Sequence, residues 1–156
     1  MAASTTPRTR FSFAREAREV YRAMSAFGRS VELDATVHEL VEIRASQING
    51  CAYCLDLHTH TAREKGESER RLHVLAAWRE SPLFSERERA ALALTEAITL
   101  LPQAGVPDEV YDAAAQHFTT AELAQLISAI AVINSWNRLM VASGAVYEAP
   151  EDRDQR

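Results

Sequence analysis

The sequence predicts an all-α fold, a single domain of about six or seven helices. Apolar residues recur at helical spacing in one segment after another, and no segment shows the strict alternation that is typical of a β-strand. Two segments open with a Ser or Thr three residues before a Glu, which is the capping-box pattern of a helix N-terminus. Five Gly and five Pro in 156 residues are few for a turn-rich β architecture. This length is enough for one domain with a core of its own.

Seven helical segments follow one another after a polar stretch, residues 1–10, that we expect to be a flexible arm. The helical domain is expected to cover residues 11–148, and the charged residues 149–156 to form a solvated tail. The expected helices span about 11–27, 34–49, 51–66, 72–78, 85–102, 107–114 and 121–145.

Capping and helix-breaking residues set these boundaries. Asp34 is a good N-cap for the second helix, which should end at Asn49-Gly50 because this pair favours the left-handed conformation of a helix C-terminus. Gly66 and Pro82 end the third and fourth helices. The later helices begin at the capping pairs Ser85/Glu88 and Thr119/Glu122, and at the first-turn proline Pro107.

The last helix has few polar positions anywhere on its circumference. Such a helix must lie in the centre of a domain or against a second subunit, and we expect both. The chain should therefore be a homo-oligomer, and light scattering that gave a 17 kDa monomer at micromolar concentration would contradict this. The apolar positions are Leu123, Leu126, Ile127, Ile130, Val132 and Ile133.

Charge and hydropathy exclude several classes of partner. With 17 basic against 22 acidic side chains, the chain lacks the basic surface that nucleic acid requires. The most apolar stretch, Leu126–Ile133, is far shorter than the roughly 20 residues of a membrane span. Because residues 1–10 also lack a signal peptide's apolar stretch, we expect a cytoplasmic protein with no membrane partner. In that reducing compartment a cysteine pair is more often redox-active or metal-binding than structural.

Both cysteines of the chain lie at the start of the third helix, where a histidine follows one turn later. The offsets place Cys51, Cys54 and His58 along one helix face. The first-turn amides and the helix dipole favour a thiolate there, and His58 is within range to exchange a proton with Cys54. A thiolate, a second thiol and a nearby base are the parts of a dithiol redox catalyst.

The spacing alone leaves two other interpretations open. A zinc site would recruit Cys51, Cys54 and His58 with either His60 or Glu39, although no second cysteine pair is present to complete the usual structural site. The two thiols could also be inert core residues. We expect His60 to be exposed, and we assign no role to Glu42.

Two motifs resemble those of the alkylhydroperoxidase D-like (AhpD-like) proteins of the carboxymuconolactone decarboxylase superfamily. The first is a Glu, a Cys twelve positions on, a second Cys completing CxxC, and a His four positions later, here Glu39, Cys51, Cys54 and His58. The second, residues 133–138 (INSWNR), resembles a signature of the peroxidase-related members. The two motifs occur in the same order as in the family, and the resemblance covers about residues 30–147.

The resemblance implies a helical domain that assembles as a trimer or hexamer and reduces small hydroperoxides without a metal or other cofactor. If the roles of the family's residues are transferred to this sequence, Cys54 attacks the peroxide and Cys51 resolves the sulfenic acid. His58 is then the base, and Glu39 orients it. A dithiol of lipoyl or thioredoxin type would regenerate the thiols. We expect Cys51, at the turn, to be more accessible to that reductant than Cys54.

One position departs from the best-known members, which carry a second His directly before the second Cys. This chain has Tyr53 there, and a phenol is a poor base near neutral pH. Two other functions remain open: a decarboxylase-type enzyme with the same fold, which would not depend on a cysteine pair, and a non-catalytic redox sensor.

Overall fold

The computed structural model describes residues 8–148, and within them the chain is all-α, as predicted, with no strand. Between residues 8 and 148, nine α-helices and one 3₁₀ helix follow one another. They are α1 (Phe13–Glu16), α2 (Arg18–Arg29), α3 (Ala35–Asn49), α4 (Ala52–Glu64), α5 (Glu69–Val74), the 3₁₀ helix (Leu75–Glu80), α6 (Glu86–Thr99), α7 (Leu101–Ala104), α8 (Asp108–Ala115) and α9 (Thr120–Ser143).

Helix α3 lies at the centre of the domain and contributes to three apolar clusters. Val37 and Val41 pack against α6, α8 and α9, and Leu40 and Ile43 pack against α5, the 3₁₀ helix and α6. Ala45 packs beside the two cysteines and the C-terminal half of α9. Because α3 is surrounded on most sides, even its polar positions can be buried.

The predicted helix ends are confirmed at most positions. The Asp34 side chain accepts hydrogen bonds from the backbone N–H groups at positions 36 and 37. Both capping boxes form, at Ser85 with Glu88 and at Thr119 with Glu122. Local chemistry is sufficient at these sites because a cap satisfies backbone donors that no other part of the fold reaches.

The first predicted helix is wrong in one respect, since it is two helices. Ala17 has φ −124° and ψ 52°, which interrupts the helix between α1 and α2. No residue of α2 is buried, and its apolar residues Val20 and Tyr21 are 54% and 36% exposed. Helix α2 therefore lies on the surface of the domain, against α9.

Smaller differences occur around the middle of the chain. The predicted fourth helix is α5 followed by the 3₁₀ helix, with non-helical dihedral angles at Ala77. The predicted fifth helix ends at Thr99, before Pro102, and α7 is a separate single turn that contains this proline.

The end of the predicted N-terminal arm is attached to the domain. The Arg10 backbone N–H donates to the Ser143 carbonyl oxygen over 2.8 Å, and its guanidinium donates to the Ala142 carbonyl oxygen over 2.7 Å. Residues 8–10 are thus held at the C-terminal end of α9. Residues 1–7 and the predicted tail, 149–156, lie outside the described residues.

Gly144 is expected to tolerate no side chain. It has φ 67° and ψ 34°, and a Cβ there would collide with the carbonyl oxygen of Arg8. Gly50 has nearly the same backbone conformation, φ 65° and ψ 35°, with open space around it. In urea unfolding, Gly50→Ala should cost about 1 kcal/mol for the left-handed conformation. Gly144→Ala should cost roughly 1–3 kcal/mol more for the overlap, and equal losses in the two variants would contradict this.

Helix α9 is long and apolar enough to cross a membrane if length and composition are the only criteria. The core helix of a soluble domain passes the same test. Here Leu126, Ile130 and Ile133 are fully buried against the other helices. The prediction that α9 is central to the domain is therefore confirmed.

Candidate active site

A helix–turn–helix corner presents the two cysteines. Helix α3 ends at Gly50 in the left-handed conformation, and α4 begins two residues later with Cys51 as its N-cap. The Cys54 backbone N–H donates to Cys51 Sγ over 3.3 Å. A sulfur that accepts from a free first-turn amide is in a position that favours negative charge.

Cys51 and Cys54 are joined by a disulfide, with their Cα atoms 5.4 Å apart. The expectation that Cys51 is the more exposed cysteine is wrong, because the residues are 1% and 2% exposed. Ala45, Ile133 and Met140 pack around the pair in one apolar cluster. Access to either sulfur therefore depends on the cavities beside it.

His58 is bracketed by two carboxylates. Its Nδ1 lies 3.1 Å from Glu39 Oε2 and 3.0 Å from Glu42 Oε2. Both carboxylates are buried on α3, so Glu42, to which the sequence analysis assigned no role, belongs to the site. His38 Nε2 lies 3.6 Å from the other Glu42 oxygen. Since Glu39 and Glu42 are three positions apart on a helix, their shared face was a signal in the sequence.

The two carboxylates favour the charged form of His58. Burial by itself lowers the pKa of His58, but the hydrogen bonds and negative charges of Glu39 and Glu42 raise it to about 9. Burial by itself raises the pKa of Glu39, yet the hydrogen bonds and positive charges of His58 and Lys65 bring it below its usual value. At neutral pH, the site therefore contains an imidazolium between carboxylates.

Lys65, the only lysine in the chain, is the second cation of the site. It is the C-cap residue of α4, and its Nζ donates to Glu39 Oε1 over 2.6 Å. The Glu39 carboxylate thus accepts from Lys65 with one oxygen and faces His58 with the other. Lys65 is itself exposed and reaches the buried Glu39 carboxylate from the surface.

We expect Lys65→Met to destabilise the protein in a pH-dependent way. The pKa of Glu39 is depressed in the folded state, so its ionised form contributes stability above the unfolded value of 4.5 that is lost as pH falls. Because the Lys65 side chain is 47% exposed, we expect the loss at pH 7 to be only about 1 kcal/mol.

The measurement is urea unfolding of the wild type and variant between pH 3 and pH 7. The difference in unfolding free energy should shrink as the pH falls below about 4.5, and Lys65→Arg should restore most of the lost stability. A difference that is independent of pH would mean that Lys65 acts only through its aliphatic chain.

The second motif, residues 133–138, holds the corner in place. Asn49 Nδ2 donates to Asn134 Oδ1 and to the buried Asn137 Oδ1, over 3.0 and 2.8 Å. Asn137 Nδ2 donates to Ser46 Oγ over 2.9 Å, and Asn134 Nδ2 donates to Thr99 Oγ1 over 3.0 Å. These bonds fix the end of α3 against α9 and α6, so they fix the start of α4 and the cysteines as well.

The two cysteines line different cavities. Cys54 and His58 line a cavity of about 300 Å³, together with Glu42. Cys51 lines a separate cavity of about 230 Å³, which neither Cys54 nor His58 borders. Because Nδ1 of His58 faces the carboxylates, Nε2 is the ring nitrogen that remains available to a molecule in the cavity shared with Cys54.

The wall residues of the larger cavity were mostly missed from the sequence. Tyr53, in the position of the second histidine, borders both cavities and stands edge-on to Tyr147 at 5.6 Å. Trp136 of the second motif is another wall residue, so the motif was a signal for it. His60 is not exposed as expected: its side chain is 20% exposed and lies 3.5 Å from Glu64.

A metal site fits this arrangement poorly. Among residues 8–148, the grouped donor atoms are those of Glu39, Glu42 and His58, all within 4.8 Å of one another. Neither cysteine belongs to this group, and their sulfurs are joined to each other in a disulfide. A cation would also have to displace the Lys65 ammonium from Glu39. The zinc site considered from the spacing is therefore not the arrangement that is formed.

Comparison with known proteins gives consistent matches over most of the chain. Residues 18–97 match the carboxymuconolactone decarboxylase family. The uncharacterized protein YdfG of Bacillus subtilis is 41% identical over 134 residues, which cover 86% of this chain and 91% of YdfG.

Solved structures have the same fold. ATU0492 of Agrobacterium tumefaciens, a protein of unknown function assigned to AhpD antioxidant defence, is 34% identical with a TM-score of 0.85, over 91% of this chain and 99% of its own. The debrominase Bmp8 superposes with a TM-score of 0.76 over 86% of this chain and 74% of its own, and at 21% identity it shows the fold alone. The chain therefore belongs to the carboxymuconolactone decarboxylase family and is an AhpD-like member of that superfamily.

Proposed function

We propose that the protein is a thiol-dependent peroxidase that reduces small hydroperoxides through a Cys51–Cys54 dithiol/disulfide cycle. The observation that carries this proposal is that the two cysteines line different cavities. Cys54 shares a cavity with His58, which holds a proton for a leaving group, whereas Cys51 borders another cavity from which a reductant can approach. Peroxide and reductant then reach the site from different sides.

In the first step the Cys54 thiolate attacks the hydroperoxide. The S–O bond forms as the O–O bond breaks, so the sulfur is oxidised to a sulfenic acid and the peroxide is reduced. The His58 imidazolium gives its proton to the departing alkoxide, which leaves as the alcohol. Glu39 and Glu42 hold the imidazolium in place and keep it charged between turnovers.

In the second step the Cys51 thiol attacks the Cys54 sulfenic acid. The disulfide forms and the S–O bond breaks, and the Cys51 thiol proton ends on the departing hydroxide, which leaves as water. An external dithiol, of lipoyl or thioredoxin type, then reduces the disulfide and is itself oxidised. Attack on Cys51 from its own cavity releases Cys54 as the thiolate. Of the two protons of the dithiol, one goes to Cys51 and the other restores the His58 imidazolium, so the site is ready for the next hydroperoxide. Such reductants belong to a reducing compartment, so we place the activity in the cytoplasm.

The test is hydroperoxide consumption with a panel of dithiol reductants, combined with a thiol count before and after one equivalent of peroxide. Loss of both thiols with sustained turnover supports the peroxidase. Loss without turnover for any reductant would indicate a redox sensor instead. No loss of thiols would overturn the redox cycle and favour a decarboxylase-type reaction that needs no cysteine pair.

A further inference from the structure

The cavity that contains Cys54 and His58 has an apolar wall that hydrogen peroxide would not need. A small polar oxidant requires only access to the sulfur and a proton donor, whereas a ligand with an apolar body is bound by burying that body against apolar side chains. Tyr21 stands edge-on to Trp136, with ring centroids 5.3 Å apart. The wall is formed by six side chains: Tyr21, Tyr53, Leu57, Val132, Trp136 and Met140.

Arg29 provides a cation at the edge of the same cavity. It is the last residue of α2, it is exposed, and it borders the cavity that contains Cys54. Within residues 8–148 its guanidinium makes no hydrogen bond, ion pair or ring contact. Arg22, on the same helix, is instead paired with Glu19 over 2.8 Å. An unpaired guanidinium beside an apolar wall suits a carboxylate, which it can bind through two N–H groups.

The direction of α2 places this cation at one end of the cavity. Tyr21 lies beside Trp136, and a Cβ on Gly28 would lie 3.6 Å from Val132 Cγ1, so α2 runs antiparallel to α9. Arg29 is therefore at the Val132 end of the cavity. Ile133 and Met140, which pack in the same cluster as the cysteines, are one and eight residues further along α9. Eight residues of helix span about 12 Å, so the cysteine cluster extends from the level of Val132 to about 12 Å beyond it along α9.

We propose that the substrate is an organic hydroperoxide that carries a carboxylate, with its apolar body against this wall and its carboxylate paired with Arg29. The inference rests on the proposed peroxidase function and names the substrate class of that site. A carboxylate and a hydroperoxide on opposite sides of one aromatic ring or a short alkyl chain fall within this range. The reaction is the one given above, with Arg29 taking part in binding only.

The kinetic test compares 4-(2-hydroperoxypropan-2-yl)benzoate with its methyl ester. The wild type is expected to favour the acid by about fivefold in kcat/KM, the size of an exposed ion pair. Arg29→Gln should remove this preference by lowering kcat/KM for the acid alone, and Arg22→Gln should leave it intact. Raising the ionic strength should weaken the preference in the wild type. Equal kcat/KM for acid and ester in the wild type, or a preference that survives in Arg29→Gln, would overturn the inference.

A binding test separates this inference from the peroxidase proposal. The unreactive probes 4-isopropylbenzoate and 4-isopropylbenzamide are titrated into the wild type and Arg29→Gln, with calorimetry as the readout. Tighter binding of the benzoate to the wild type alone supports the anion site, even if no hydroperoxide is turned over. Turnover of the ester with equal binding of the two probes would leave the peroxidase standing and overturn the role of Arg29.

Discussion

Cys54→Ser is expected to abolish hydroperoxide reduction down to the background rate. Cys54 is the cysteine that shares a cavity with His58, so the variant lacks the sulfur that the peroxide and the proton donor can reach together. Cys51 should remain a free thiol after one equivalent of peroxide, because it borders the other cavity, which His58 does not line. Stopped-flow peroxide consumption and a thiol count measure the two effects.

Cys51→Ser is the matched variant, since it removes the other sulfur with the same substitution. It should consume about one equivalent of peroxide and stop at a sulfenic acid on Cys54, which excess peroxide converts to the sulfinic acid. Dimedone labelling followed by mass spectrometry locates the sulfenic acid. If Cys51→Ser is the inert variant and Cys54→Ser the one that is labelled, the two roles are reversed and the proton path from His58 must lead to Cys51.

Much of the fold could be predicted because helix ends are decided locally. The caps at Asp34, Ser85 and Thr119 each satisfy backbone donors with side chains at most three positions away. The interruption at Ala17 has no such local signal. Helix α2 keeps a continuous apolar spacing, but its apolar side chains meet a cavity wall and the surface rather than the core. Periodicity indicates which face is apolar, and it does not indicate what that face contacts.

In the candidate site, too, some residues could be predicted from local spacing and others depend on tertiary packing. The spacing from Glu39 to His58 follows from two helices joined at one corner, so the sequence placed those residues together. The spacing of Glu39 and Glu42 indicated a shared helix face, but the burial of Glu42 depends on how distant helices pack around α3. Lys65 and Arg29 come from the ends of α4 and α2, and their positions beside the site are set by the fold. Charges brought in by tertiary packing are thus the part of the site that local patterns missed.

His58→Gln is expected to lower the rate of hydroperoxide reduction at pH 7 by roughly 10²-fold or more, the usual contribution of a general acid. The amide can still donate to Glu39 or Glu42, but it can neither hold a positive charge beside Cys54 nor give up a proton. The Cys54 thiol then loses its cation and reacts as a thiolate only at higher pH. The rate of the variant should therefore rise steeply with pH where that of the wild type does not.

The same substitution should change how stability depends on pH. The pKa of His58 is raised in the folded state from 6.5 to about 9, so its charged form contributes stability that is complete below pH 6.5 and is lost as pH rises towards 9. Urea unfolding of the oxidised wild type should show this decline, and His58→Gln should lack it. His73→Gln is the control, because that side chain is 75% exposed and outside the site. If His58→Gln keeps both the decline in stability with rising pH and the rate profile of the wild type, His58 is not the proton donor to the departing alkoxide.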